Sequence, residues 1–166
     1  NVIYSYPLSA ALTDGYVKEP AVATRKDFRP ENETPESLEN IKLEDGAKHH
    51  EHVKVELDVY SKQTGKPLIN PFMLVVAQDI THAGNLRKHI ESDGFREGRY
   101  KGKVIEVHSN QSGQESDEAT ERLLKVEHDS NTEIVIHVNK LKEGWDVNNL
   151  YTIVPLRAFV ADILTE

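Results

Sequence analysis

A continuous apolar segment at residues 72–77, with the sequence FMLVVA, constrains the fold of this chain more than any other feature. It has the length of a β-strand and is apolar on both faces, as in the centre of a parallel sheet. Further strands are predicted at residues 104–107, 133–138 and 151–154, with helical patterns between strands. This alternation predicts an α/β fold, an open and mostly parallel sheet flanked by helices.

The first of these helices follows the strand at residues 72–77. Leu86 and Ile90 lie four residues apart and would share one helical face, and Gly94 and Gly98 are expected to end the helix. A second helix is predicted after the turn at residues 109–113.

Residues 1–70 have irregular apolar spacing, which predicts a linker region that is partly helical and otherwise irregular. Thr34 and Pro35 are typical of a helix start, and Gly46 is expected to end that helix. The sequence pattern of residues 47–62 is compatible with two types of secondary structure. Their alternating apolar residues suit a strand, whereas Val53, Leu57 and Tyr60 would share a helical face.

The composition excludes several classes of protein. With 28 acidic and 20 basic residues the net charge is −8, so the chain is not basic over its whole surface. It has no Cys, which excludes disulfides and Cys-ligated metal centres. No apolar run approaches the ~18 residues of a membrane span, so no membrane association is predicted.

Two polar stretches have alternative interpretations. Residues 87–103 carry a local charge of +3 and would suit either a phosphate backbone or an ordinary charged helix and loop. The sequence His49-His50-Glu51-His52 suits a metal site or a solvated stretch. It lacks the H-x-x-x-H and H-E-x-x-H spacings, so no metal is predicted.

Common catalytic and nucleotide-binding motifs are absent. The sequence contains no G-x-x-x-x-G-K-[ST], G-x-G-x-x-G or G-x-S-x-G motif. Residues 140–146, which include Gly144 and Asp146, follow the third predicted strand, and ligands of parallel sheets bind beyond the C-terminal ends of strands.

Two segments resemble motifs of a known family. Residues 71–90 resemble the strand and helix that open the second RecA-like domain of superfamily 2 helicases, and residues 133–154 resemble motif V of that domain. The sequence NKLKEGWDV, followed by TIVPLRA, is similar to a segment of the restriction subunit of type III restriction–modification enzymes. The opening YPLSAALTDGYVKEP also resembles that subunit.

The resemblance implies a function for the whole protein. Such subunits are ATP-dependent motors on double-stranded DNA that use ATP and Mg²⁺, carry an endonuclease domain and act with a modification methyltransferase subunit in the cytoplasm. Residues 1–70 would be a linker and the end of the first motor domain, and residues 71–166 part of the second RecA-like domain. The resemblance also favours a helix at residues 47–62.

The resemblance assigns site residues at positions that match the motifs. The ATP cleft would include Glu143, Gly144 and Asp146. The DNA-binding residues would be Gln78, Thr81, Asn85, Arg87, His108, Ser109, Asn139 and Lys140, with the last two coupling the ATP cleft to DNA.

Other parts of such a motor are not in the sequence. The Walker A motif and the Asp-Glu box belong to the first motor domain, and the arginine motif would follow residue 166. Together with an Asn in place of an initiator Met at position 1, this predicts a fragment of a longer protein. The alternatives are another superfamily 2 translocase, or a βαβ module that binds a partner or a small ligand.

The 166-residue chain alone is expected neither to hydrolyse ATP nor to cut DNA, because it lacks the phosphate-binding loop, the arginine motif and a nuclease cluster. Phosphate release by the purified chain, with and without duplex DNA, checks this. Stoichiometric, DNA-stimulated ATP turnover would contradict it.

Overall fold

The computed structural model describes residues 10, 13–15, 18–19, 21–108, 125–126, 128–138 and 147–156. The chain divides into two compact units, residues 1–34 and residues 35–166. In the first unit, the described residues include a 3₁₀ turn at Pro30–Asn32. Among the described residues, the second unit includes the sheet and the helices whose bounds are given below. The predicted division into two motor domains at residue 70 stays a prediction.

Four strands form one parallel sheet in the second unit, which confirms the predicted α/β fold. They are β1 at Phe72–Ala77, β2 at Val104–His108, β3 at Ile134–Val138 and β4 at Leu150–Pro155. The spatial order is β2-β3-β1-β4, and every neighbouring pair is parallel. All residues of β1 and β3 are buried, as the apolar sequence of β1 predicts.

Two helices pack on the same face of this sheet. They are α1 at Pro35–Thr64 and α2 at Ile80–Ile90. The residues of this core include Leu43 and Ala47 of α1, Ala83, Leu86 and Ile90 of α2, and Met73, Val75 and Ala77 of β1. Phe72, Leu74, Val135 and Val126 pack together on the opposite face. No helix in the described part of the chain is both long and apolar enough to cross a membrane.

Helix α1 does not end at Gly46, so that prediction is wrong, whereas the prediction of a helix at residues 47–62 is confirmed. Gly46 faces the sheet at a point where no side chain fits. A Cβ there would lie 2.2 Å from Cγ2 of Val154 and 3.2 Å from Sδ of Met73. The glycine therefore serves close approach of helix and sheet rather than termination.

Helix α2 ends at Ile90, before Gly94 and Gly98, so the predicted end is also wrong. The chain then forms a compact turn in which Phe95 and Tyr100 are buried. Gly98, with φ of +70°, supplies a left-handed residue within this turn.

Glu51 of α1 holds this turn against the helix. Its carboxylate accepts hydrogen bonds from Nη2 of Arg96 at 2.5 Å and from the Tyr100 hydroxyl at 3.1 Å, and it lies 3.0 Å from Nη1 of Arg99. Partial burial raises the pKa of Glu51, but the hydrogen bonds from Arg96 and Tyr100 outweigh it and leave the pKa below its ordinary value. Arg96 and Glu97 have φ of 47° and 59°, a strained conformation that such anchoring stabilises.

Substitution of Gly46 by Ala is expected to destabilise the protein by about 1–3 kcal/mol, because the added methyl group overlaps Val154 and forces α1 away from the sheet. Urea denaturation measures this. Gly84→Ala in α2 is the matched control, since a Cβ there meets no atom within 4 Å. That variant should be stabilised by up to about 1 kcal/mol through helix propensity. An equal increase in the free energy of unfolding in both variants would contradict the close approach of α1 to the sheet at Gly46.

Candidate functional site

A cavity of about 590 Å³ lies at the C-terminal edge of the sheet. It lies beside Gln78, which follows the end of β1, and Leu156, which follows the end of β4. Helix α1 forms its other wall. The residues that line it are Pro35, Glu36, Leu38, Glu39, Lys42, Gln78, Asp79, Thr81, His82, Asn85 and Leu156. Ligands of parallel sheets bind at this edge, and the volume lies in the range of small-molecule sites.

The turn between β1 and α2 is fixed by local hydrogen bonds. Asp79 is the N-cap of α2, and its Oδ1 accepts from the amide of His82 at 2.8 Å. The Gln78 amide donates to Nδ1 of His82 at 3.1 Å. The Gln78 side chain reaches the carbonyl of Leu156 at 3.5 Å, the outer limit of a hydrogen bond.

Helix α1 is joined to this turn by a contact between an imidazole and a carboxylate. Nε2 of His82 lies 2.8 Å from Oε2 of Glu39, and both side chains are mostly shielded from solvent. Through this contact the start of α1 and the start of α2 become two walls of one cavity.

Three of the residues that the resemblance assigns to DNA come together in this cavity: Gln78, Thr81 and Asn85. Thr81 and Asn85 lie four residues apart on one face of α2, and all three are exposed. Arg87 is not among the lining residues. Its guanidinium lies 3.1 Å from Glu91 and 3.6 Å from Glu106.

The remaining assigned residues belong to β2 or lie outside the described residues. His108 ends β2 at the C-terminal edge of the sheet. Ser109, Asn139, Lys140, Glu143, Gly144 and Asp146 lie outside the described residues. The predicted ATP cleft therefore stays a prediction.

The charges around the cavity are mixed. Glu36, Glu39 and Asp79 contribute carboxylates, and Lys42 contributes an ammonium group. Two of the carboxylates have partners within the site, since Glu39 contacts His82 and Asp79 caps α2. This lining can donate hydrogen bonds from its amide and hydroxyl groups, but it does not form a concentrated basic surface.

Sequence reasoning missed Glu39, Lys42 and His82. The first two lie on α1, more than 30 residues before the turn that they face, and no local pattern signals such a contact. His82 did have a signal, because Asp79 and His82 have the spacing of a capping box, with His in place of the usual Glu or Gln.

The basic stretch at residues 87–103 is largely neutralised by acidic residues. Its pairs are Arg87 with Glu91, Arg96 and Arg99 with Glu51, Lys101 with Asp93, and Lys103 with Glu133. Glu51 and Glu133 come from outside the stretch, so the +3 of the sequence overstates the charge of the folded surface. The structure favours an ordinary charged helix and loop here.

A second charged cluster lies at the opposite, N-terminal edge of the sheet. Glu133, which precedes β3, accepts from Nζ of Lys54 at 2.7 Å and of Lys103 at 2.6 Å. Burial raises the pKa of Glu133, but contacts with His50, Lys103 and Lys54 outweigh it and hold the pKa far below its ordinary value. Nε2 of His50 is 3.5 Å away, too far for a strong bond, so the lysines contribute most.

The stretch at residues 49–52 is not uniformly solvated. His50 is fully buried, whereas His49 and His52 are exposed and His52 lies 3.1 Å from Glu56. Within the described ranges, no group of three or more His, Asp or Glu residues could hold a metal ion.

No protein-family model matches the chain, and neither a curated protein nor a solved structure matches it. The assignment of a function therefore depends on the residues and contacts of the chain itself.

Glu133→Gln is expected to lower the free energy of unfolding at neutral pH by about 2 kcal/mol, because Lys54 and Lys103 lose a buried charged acceptor. A carboxyl with a lowered pKa stabilises the fold above its unfolded pKa of ~4.3 and loses that effect as the pH falls.

The difference between wild type and Glu133→Gln should therefore shrink as the pH is lowered from about 5 toward 2, as urea denaturation at a series of pH values would measure. Glu56→Gln is the control, since Glu56 is an exposed carboxylate on α1. A difference that stays constant with pH would contradict the role given to Glu133.

Proposed function

We propose that this chain is part of the second motor domain of an ATP-dependent DNA translocase of superfamily 2, of the kind found in the restriction subunit of type III restriction–modification enzymes. One observation carries the proposal. Gln78, Thr81 and Asn85, which the resemblance assigns to the DNA backbone, line one cavity at the edge of a parallel sheet where ligands bind.

The chemistry of these side chains suits the proposed role. Amide and hydroxyl groups can donate hydrogen bonds to phosphate oxygens without reading the base sequence, as a translocating motor requires. Lys42 adds a positive charge to the same cavity, whereas Glu36 lowers the attraction for phosphate. Binding by this chain alone should therefore be weak, with a dissociation constant on the order of 10⁻⁴–10⁻⁶ M.

The other functions of the proposed enzyme belong to the whole protein. Glu143, Gly144 and Asp146 would face ATP and Mg²⁺ with help from the first motor domain. The modification methyltransferase subunit would recognise the site on double-stranded DNA, a separate nuclease domain would cut it, and the complex would act in the cytoplasm.

A second candidate is a βαβ module that binds a small polar ligand. The lining of the cavity favours it, since three carboxylates face one lysine and would attract a cationic or neutral ligand over a phosphate. The two candidates differ in the expected effect of Glu36. Its removal should strengthen binding of a phosphate and weaken binding of a cation.

Lys42→Gln is expected to weaken binding of a fluorescein-labelled duplex of about 20 base pairs by about fivefold, and to reduce the slope of log K against log salt by about 1. Fluorescence anisotropy over a range of salt concentrations measures both. Lys62→Gln is the matched control on α1, because Lys62 pairs with Asp58 and is not among the lining residues.

Glu36→Gln should bind the same duplex more tightly than wild type, because a negative charge beside the phosphate is removed. Equal affinities and slopes for Lys42→Gln and Lys62→Gln would contradict DNA binding at the cavity. Weaker binding of a small cationic ligand by Glu36→Gln than by wild type would favour the second candidate.

A further inference from the structure

His82 makes three polar contacts with both sides of the cavity. Its amide donates to Asp79, its Nδ1 accepts from the Gln78 amide at 3.1 Å, and its Nε2 lies 2.8 Å from Glu39. The first two contacts are local and resemble a capping box. The third crosses to α1, and capping of α2 does not require it.

The contact with Gln78 assigns the tautomer of the imidazole. A backbone amide can only donate, so Nδ1 must be the unprotonated nitrogen that accepts from it. The ring proton is therefore on Nε2, where it faces the Glu39 carboxylate. Both ring nitrogens are used, and the ring orientation is fixed from two sides.

These contacts connect the turn between β1 and α2 to helix α1. Gln78 and Thr81 lie on the four residues that precede His82, and Glu39 lies on α1 across the cavity. Helix α2 is held to the sheet independently by Ala83, Leu86 and Ile90. Loss of the His82 contacts should therefore change the turn and the cavity without unfolding the helix.

We propose that His82, together with Glu39, is a positioning residue that joins the turn at residues 78–81 to α1 and so aligns the polar side chains of the cavity. The ligand in this inference, a DNA phosphate backbone, rests on the proposed function. The positioning itself rests only on the contacts of His82.

Three variants separate the two contacts of the ring. In His82→Asn the side-chain oxygen can take the place of Nδ1, so the Gln78 amide keeps its acceptor and Glu39 loses its partner. In His82→Leu both contacts of the ring are lost, so neither Glu39 nor the Gln78 amide keeps its partner. Glu39→Gln keeps an acceptor for Nε2 and removes the charge.

The exchange rate of the Gln78 amide and the tautomer of His82, both measured by NMR, test the positioning. Wild type should show the Nε2-protonated tautomer. Exchange at Gln78 should accelerate about tenfold or more in His82→Leu and stay slow in His82→Asn, since the hydrogen bond from the Gln78 amide is lost only in the former. The Ala83 amide, bonded to the carbonyl of Asp79, should be unchanged and reports that α2 is intact.

The affinity for the labelled duplex tests the consequence for the cavity. Both His82 variants should bind at least about threefold more weakly than wild type. Glu39→Gln should bind at least as tightly as wild type, because it keeps the hydrogen bond and removes a negative charge from the cavity. His52→Asn, which disrupts the exposed His52–Glu56 pair of α1, is the matched control and should bind as wild type does.

An Nδ1-protonated His82 in wild type, or equal Gln78 exchange in all variants, would overturn the inference. If exchange of the Gln78 amide changed in the His82 variants but their affinity for the duplex did not, the claim that His82 aligns the polar side chains of the cavity would be overturned. If wild type bound no duplex, the proposed function would fail, and the tautomer and exchange rates would still decide whether His82 positions the turn.

Discussion

The close approach of α1 to the sheet at Gly46 is the constraint on which the rest of the second unit depends. A helix that lies this near Val154 and Met73 presents one face to successive parts of the sheet. The residues on that face are Glu39 at the cavity, Leu43 and Ala47 in the core, and His50, Glu51 and Lys54 toward the opposite edge. A small outward shift of α1 would loosen all of these contacts together.

The two edges of the sheet differ in how their polar groups are used. At the N-terminal edge, Glu133 is nearly buried and is matched by two lysines. Such a cluster can hold α1 and the strands in place but leaves little capacity for a ligand. At the C-terminal edge, the side chains of Thr81 and Asn85 are exposed around a cavity. This difference favours the C-terminal edge as the functional one, in agreement with the general behaviour of parallel sheets.

The two central strands, β1 and β3, could be predicted from the sequence because burial on both faces leaves a local signature, and the segment FMLVVA is β1 as expected. The glycines could not, because their roles depend on neighbours distant in the chain. Gly46 has the same local appearance as a helix-ending glycine, and only the position of Val154 reveals its function. Likewise, the charge of residues 87–103 is neutralised by Glu51 and Glu133, which no local count includes. The residues of the turn at 78–81 could be predicted because their sequence resembles a known motif. Glu39 and Lys42 of α1, which line the other side of the cavity, could not be predicted in this way.

The proposed contact of DNA with the C-terminal edge of the sheet is tested most directly by titration of the isotope-labelled chain with a short duplex, followed by NMR. If DNA binds there, the amide signals of Gln78, Thr81 and Asn85 should shift together at low salt and return toward their free positions as salt is added. Shifts confined to residues 96–103, or no shift at this edge at a duplex concentration of about 1 mM, would contradict it.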